Sequence, residues 1–110
     1  MQKKRTFGDL RKGSYFWSAG IGSVTRQRVF WIDRTDDKVK FGTSWYTMKS
    51  ITVANDATEY IDDSKRWFTD KQDARRCAYE LIQKEVKDAE IHLNWLKERA
   101  ESFRRNFIDC

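Results

Sequence analysis

Apolar residues follow two periods along this chain. Up to about residue 68 they fall in short runs that alternate with polar residues, the period-two pattern of half-buried strands. From Asp70 onward they recur every three or four residues, as on one face of a helix.

The first run, Ser14–Ala19, puts Tyr15 and Trp17 on one face and Phe16 on the other. It follows a lead-in turn, Phe7–Gly13, in which Gly13 is free to take a positive φ. Gly20-Ile21-Gly22 reads as a turn. Val24–Ile32 is rich in β-branched and aromatic residues and reads as one strong strand. Asp33–Asp37 is a hairpin turn by composition. Lys38–Thr43 and Tyr46–Val53 supply two more strands. Tyr60-Ile61 and Arg66-Trp67-Phe68 flank Asp62–Lys65 as a last short hairpin. The fold expected is α+β, a small antiparallel β-barrel or bent sheet of five or six short strands followed by one long C-terminal helix. The division expected is a β-rich module at 1–68 and a helix at 69–110.

Thr69-Asp70-Lys71-Gln72 has the form of a capping box, with Thr69 as N-cap and Gln72 as its third helical residue. No Gly or Pro interrupts residues 69–110. A continuous helix from Asp70 to Phe107 is about 57 Å long. A module of this size is only roughly 25 Å across. Close to half of the helix must therefore project beyond its own domain.

With Tyr79 at heptad position a, the a and d positions fall on Tyr79, Ile82, Val86, Ala89, Leu93, Leu96, Ala100, Phe103 and Phe107. All are apolar over four heptads, which is the signature of a coiled coil. Ala74, Cys77, Ala78 and Leu81 add a second apolar strip early in the helix, suited to the chain's own sheet. Val86, Ala89, Leu93, Leu96, Ala100, Phe103 and Phe107 lie too far along for that and are assigned to an oligomer interface. Acidic residues flank the stripe early (Glu85, Glu90) and basic ones late (Lys97, Arg99, Arg104). An antiparallel pair sets these opposite each other, whereas a parallel pair sets like charges side by side. The partner expected is therefore the chain itself, as an antiparallel dimer or a four-helix assembly. Ile91 and Trp95 lie off the seam.

Charge adds a second candidate surface. Residues 1–50 hold eleven Lys/Arg against four Asp/Glu, and residues 51–110 hold eleven against thirteen. Arg26 and Arg28 share one strand face, as do Lys38 and Lys40 on the next strand. Pairing through the Asp33–Asp37 hairpin would join them, with Trp17, Trp31 and Trp45, and also Tyr15 and Tyr46, nearby. Cations beside flat rings suit single-stranded nucleic acid or an anionic partner.

Catalytic chemistry is sparse. His92 is the single histidine, and no metal-ligand spacing, nucleophile elbow or phosphate-binding loop occurs. The Asp33/Asp36/Asp37 and Asp62/Asp63 groups read as turn residues. No cofactor and no metal is expected, and the chain reads as non-enzymatic. The start has basic residues without an apolar stretch behind them, and no segment is long and apolar enough to span a bilayer. Cys77 and Cys110 are about 45 Å or more apart on a straight helix, so they cannot bridge within one chain. A reducing, cytoplasmic setting is the expectation.

The layout resembles small uncharacterised proteins of bacterial and phage genomes. In these a β-rich module opens with a Leu-x-x-Gly turn and passes through a Phe-Thr-Asp-Lys-like cap into a long helix. The matching pieces are Leu10-Arg11-Lys12-Gly13 and Phe68-Thr69-Asp70-Lys71. The β part is similar in outline to Src-homology-3-like or Tudor-like barrels, which bind peptides or nucleic acids. The resemblance implies an interaction module of phage or mobile-element origin, one that binds or inhibits a host protein. The alternative is a small basic nucleic-acid-binding protein.

Overall fold

A computed structural model describes residues 4–108. Seven antiparallel strands form two sheets, and one long helix follows. The strands are β1 (Tyr15–Gly20), β2 (Ser23–Arg28), β3 (Trp31–Arg34), β4 (Lys38–Gly42), β5 (Ser50–Ala54), β6 (Glu59–Ile61) and β7 (Arg66–Phe68); α1 spans Lys71–Phe107. One sheet has the order β2-β1-β7-β6 and the other β3-β4-β5. They are not closed into a barrel.

The expected single strand at Val24–Ile32 is two strands. Its midpoint, Val29-Phe30, is a corner where the chain passes from one sheet to the other. Val29 N–H donates to the Ser14 carbonyl beside β1, and the next N–H, of Phe30, donates to Gly42 of β4. Val29 is buried at that corner. Strands that switch sheets in this way build the corners of packed β-structures. A second difference lies at Tyr46–Val53. There β5 begins only at Ser50, and Thr47–Lys49 form a 3-10 turn held by the Lys49 N–H on the Tyr46 carbonyl. The Asp62–Lys65 hairpin joins β6 to β7 as expected, in the register Tyr60↔Trp67.

The two sheets face each other through aromatic rings. Phe16 of β1 meets Phe41 of β4 edge-on at 5.3 Å between centroids, and Trp67 of β7 packs on both. Phe7, Leu10, Val29, Val39, Ile51 and Val53 complete this core. Fully burying each of the larger side chains contributes roughly 1.5–3 kcal/mol. A few aromatic residues thus give a small module a sufficient interior.

The first turns of α1 cover the outer face of the four-stranded sheet, against β1, β2 and β7. Ala74 and Ala78 are buried there and Cys77 and Leu81 half-buried, the strip predicted for this role. Gly22, in the β1–β2 turn, fixes the contact. It has φ of +68°, and a Cβ on it would stand 2.8 Å from Ile82 Cδ1. Its N–H also donates to the Ala78 carbonyl. Gly13 takes the positive φ expected of it, +89°.

The helix cap differs by one residue from expectation. Asp70 is the N-cap, and its carboxylate accepts from Gln72 N–H at 2.9 Å. Thr69 is instead buried, and its hydroxyl donates to the carbonyls of Arg5 and Thr58. The threonine closes the β-module while the aspartate opens the helix.

From Lys71 to Phe107 the helix is unbroken, 37 residues. The radius of gyration is 21.2 Å and the extents are 73 × 36 × 21 Å. A compact chain of this length would have a radius near 13 Å. The excess is the projecting rod.

Candidate functional site

The projecting half of α1 carries the larger candidate surface. Beyond Ile82 every described helix residue is exposed except the half-buried Ser102. The stripe residues stand in solvent: Val86 at 54 %, Leu93 at 50 %, Leu96 at 44 %, Phe103 at 58 % and Phe107 at 73 % of full exposure. Ala89 and Ala100 are exposed between them. Exposed apolar patches in general mark protein or membrane contacts or ligand grooves. Phe103 and Phe107 touch at 4.9 Å between ring centroids, one turn apart, and make a bulky tip. On the flank, Trp95 is stacked by His92 at 6.0 Å and covered by the Arg99 guanidinium at 5.1 Å. Glu101 binds Arg104 at 3.0 Å along the same helix. At its base the stripe runs into a groove between helix and β1–β2 turn. Gly22, Ser23, Val24, Tyr79 and Ile82 line about 310 Å³ there.

The second candidate surface is divided by the fold. Arg26 and Arg28 are on β2, opposite Trp17 and Tyr15 of β1, in the four-stranded sheet. Lys38 and Lys40 are on β4 in the other sheet. They are not one patch, because the corner at Val29-Phe30 takes the chain from β2 into the second sheet before the hairpin is made. Trp31 goes with the lysines. Its indole lies over Gly42, where a Cβ would meet it at 2.6 Å, and Lys40 Nζ is 5.9 Å from its ring centroid. Asp33 stands opposite Lys40 in the ladder. Trp45 lies in the β4–β5 loop, edge-on to Phe30 at 4.6 Å. With Tyr46 and Met48 it is among the most exposed apolar side chains of the β-module.

The arginine half keeps its aromatic company. The Arg26 guanidinium sits 4.2 Å above the Tyr15 ring, a cation–π contact. Trp17 lines a groove with Lys4, Arg5, Thr69, Asp70 and Lys71. Arg5 donates to the carbonyls of Tyr15 and Thr69, which ties the N-terminal segment to β1 and the helix start. Lys4 binds Asp73 at 2.8 Å, and this hydrogen bond raises its pKa above the ordinary lysine value. Sequence reasoning did not find Lys4, Arg5 and Lys71. They come from distant parts of the chain, and only the Thr69–Arg5 closure brings them to Trp17.

The remaining polar groups explain structure. Asp62 clamps the β6–β7 turn. It accepts from Tyr60 Oη at 2.8 Å and from the N–H groups of Ser64 and Lys65 at 2.7 and 2.6 Å. The Tyr60 hydroxyl, then the backbone donors, hold its carboxyl down to about 2. Burial pushes the Cys77 thiol above its usual value and makes it a poor nucleophile. Cys110 lies outside the described residues. Among the described residues no group of three or more His, Cys, Asp or Glu could hold a metal, and no helix is long and apolar enough to cross a membrane. No family model, no curated protein and no solved structure matches this chain.

Proposed function

We propose that this chain is a non-enzymatic interaction module that assembles with itself through α1 and holds its β-module out to a protein partner. One observation carries this reading: an unbroken apolar stripe, exposed along well over half of a 37-residue helix that its own domain does not cover. A helix whose apolar face meets water gains most of its stability from a second surface. The exposed Trp45, Tyr46 and Met48 of the β4–β5 loop are the face offered to the other partner, since exposed aromatics and methionine favour protein contacts. The test is the mass in solution by light scattering. The wild type is expected as a dimer or larger particle at micromolar concentration, and Leu93→Asp/Leu96→Asp as a monomer with an intact β-module. A wild type that stays monomeric removes the reading.

A second reading rests on the Tyr15–Arg26 stack beside the Trp17 groove. Two rings bordered by Arg26, Arg28, Arg5 and Lys71 suit a short single-stranded nucleic acid, with bases on the rings and phosphates on the cations. It predicts binding that weakens steeply with salt and is lost in Arg26→Glu/Arg28→Glu. No binding to single or double strands at low salt would exclude it.

A further inference from the structure

We infer that the second copy docks antiparallel in one register, with Leu93 of each chain against Leu96 of the other and the Phe107 ring at the mouth of the Gly22–Ile82 groove. This rests on the self-assembly proposed above and adds its geometry. In an antiparallel pair each a position meets a d position of the partner, so every layer has the same residue-number sum. The register that pairs Leu93 with Leu96 also pairs Ala89 with Ala100, Val86 with Phe103, and Ile82 with Phe107. The small Ala89–Ala100 layers flank the leucine centre and let the helices approach closely. The bulky Phe103 and Phe107 meet the mid-sized Val86 and Ile82 at the ends.

Charge selects this register over its neighbours. Here Glu90 faces Lys97 of the second copy on one flank, twice by symmetry. On that flank Gln83 faces Arg104. On the other flank Glu85 faces Asn106 and His92 faces Arg99. A slip of one heptad in one direction keeps two opposite-charge pairs, Glu85 with Arg99, but sets Glu90 against Glu90 at the two-fold axis. A slip in the other keeps two as well, Glu90 with Arg104, but sets Lys97 against Lys97 and Arg99 against Arg99. A parallel pair sets Glu85 against Glu90 and Arg99 against Arg104. Like charges placed opposite are destabilising in each of these.

The end layer brings in the β-module. Ile82 is both the stripe residue that receives Phe107 and the residue in contact with Gly22. The Phe107 ring of the second copy therefore closes over the groove lined by Ser23, Val24 and Tyr79. Each β1–β2 turn then has two helices against it, its own and its partner's tip.

Site-specific crosslinking tests the register. In a Cys77→Ser/Cys110→Ser background, Ala89→Cys and Ala100→Cys chains are treated with a short bismaleimide, singly and after co-refolding. The register predicts a crosslinked dimer only in the mixture. Position 89 lies about 16 Å along the axis from its own copy, out of reach. Ala89→Cys alone crosslinking to itself would mean a parallel pair or one slip. Ala100→Cys alone doing so would mean a parallel pair or the other slip. Either overturns the register while self-assembly stands. A dimer by light scattering with no crosslink in any sample also overturns it. A monomer by light scattering overturns the self-assembly beneath it.

Discussion

Phenylalanine serves two opposite ends in this molecule. In the β-module Phe7, Phe16 and Phe41 are completely buried against one another. On the far half of α1 Phe103 and Phe107 are more than half exposed. The first group is satisfied inside one chain and sets the stability of the fold. The second group has no surface of its own chain to cover it. The same residue type thus fills the core in one region and forms uncovered surface in the other, the surface to which the proposed self-assembly is assigned.

The comparison can be broken at its core side with the largest effect. Phe16→Ala is expected to cost about 3–5 kcal/mol and to unfold much of the population, read as lost near-ultraviolet circular dichroism. Phe103→Ala should leave the dilute-solution melting of the β-module in place and weaken only association, read as a concentration-dependent mass. If Phe103→Ala melts the β-module as Phe16→Ala does, the two regions are not separate. Gly22→Ala probes the joint between them. Its positive φ and the 2.8 Å approach to Ile82 both penalise a methyl group, and a loss of about 1–3 kcal/mol by denaturant titration is expected. The smallest effect is at Asp62. Its folded pKa lies below the unfolded value, so its contribution is present above about pH 4 and fades as pH falls toward about 2. Asp62→Asn should lower the melting temperature at pH 7 and converge with the wild type near pH 2. A constant difference across that range would mean that the carboxylate charge is irrelevant to the turn.

The helix was legible from sequence because its signals agree. A 3-4 apolar spacing, acidic residues at its start, Arg104 and Arg105 at its end, and no Gly or Pro all point one way. The cap was misplaced by one residue because Thr69 and Asp70 are both good N-caps. What decides between them is a carbonyl 64 residues away, that of Arg5. The corner at Val29-Phe30 was illegible for a different reason. Neither residue breaks a strand, and the change of sheet is enforced by hydrogen bonds to Ser14 and Gly42. That one hidden corner turned an expected basic patch into two. The Lys4, Arg5 and Trp17 cluster was likewise invisible, because only tertiary closure assembles it. That the far part of α1 stands uncovered needed no such long-range knowledge, since it depends on which helix residues lie beyond the module's reach.

The absence of any break in α1 makes it a ruler with a phase. Each residue added or removed shifts whatever the helix carries by about 1.5 Å and rotates it by about 100°. Gly22 clamps that ruler at Ile82 and the Ala78 carbonyl, so length and rotation are measured from a fixed zero. Removing seven residues between Gln83 and Leu93 would shorten the arm by about 10 Å yet turn it by only about 20°, so the stripe keeps facing the same side. Removing five would leave a similar length but turn the stripe well away from its starting direction. Reach and direction of the stripe are therefore coupled numbers in this chain, and under the proposed self-assembly an insertion tolerated by the fold would still change how the β-modules are set.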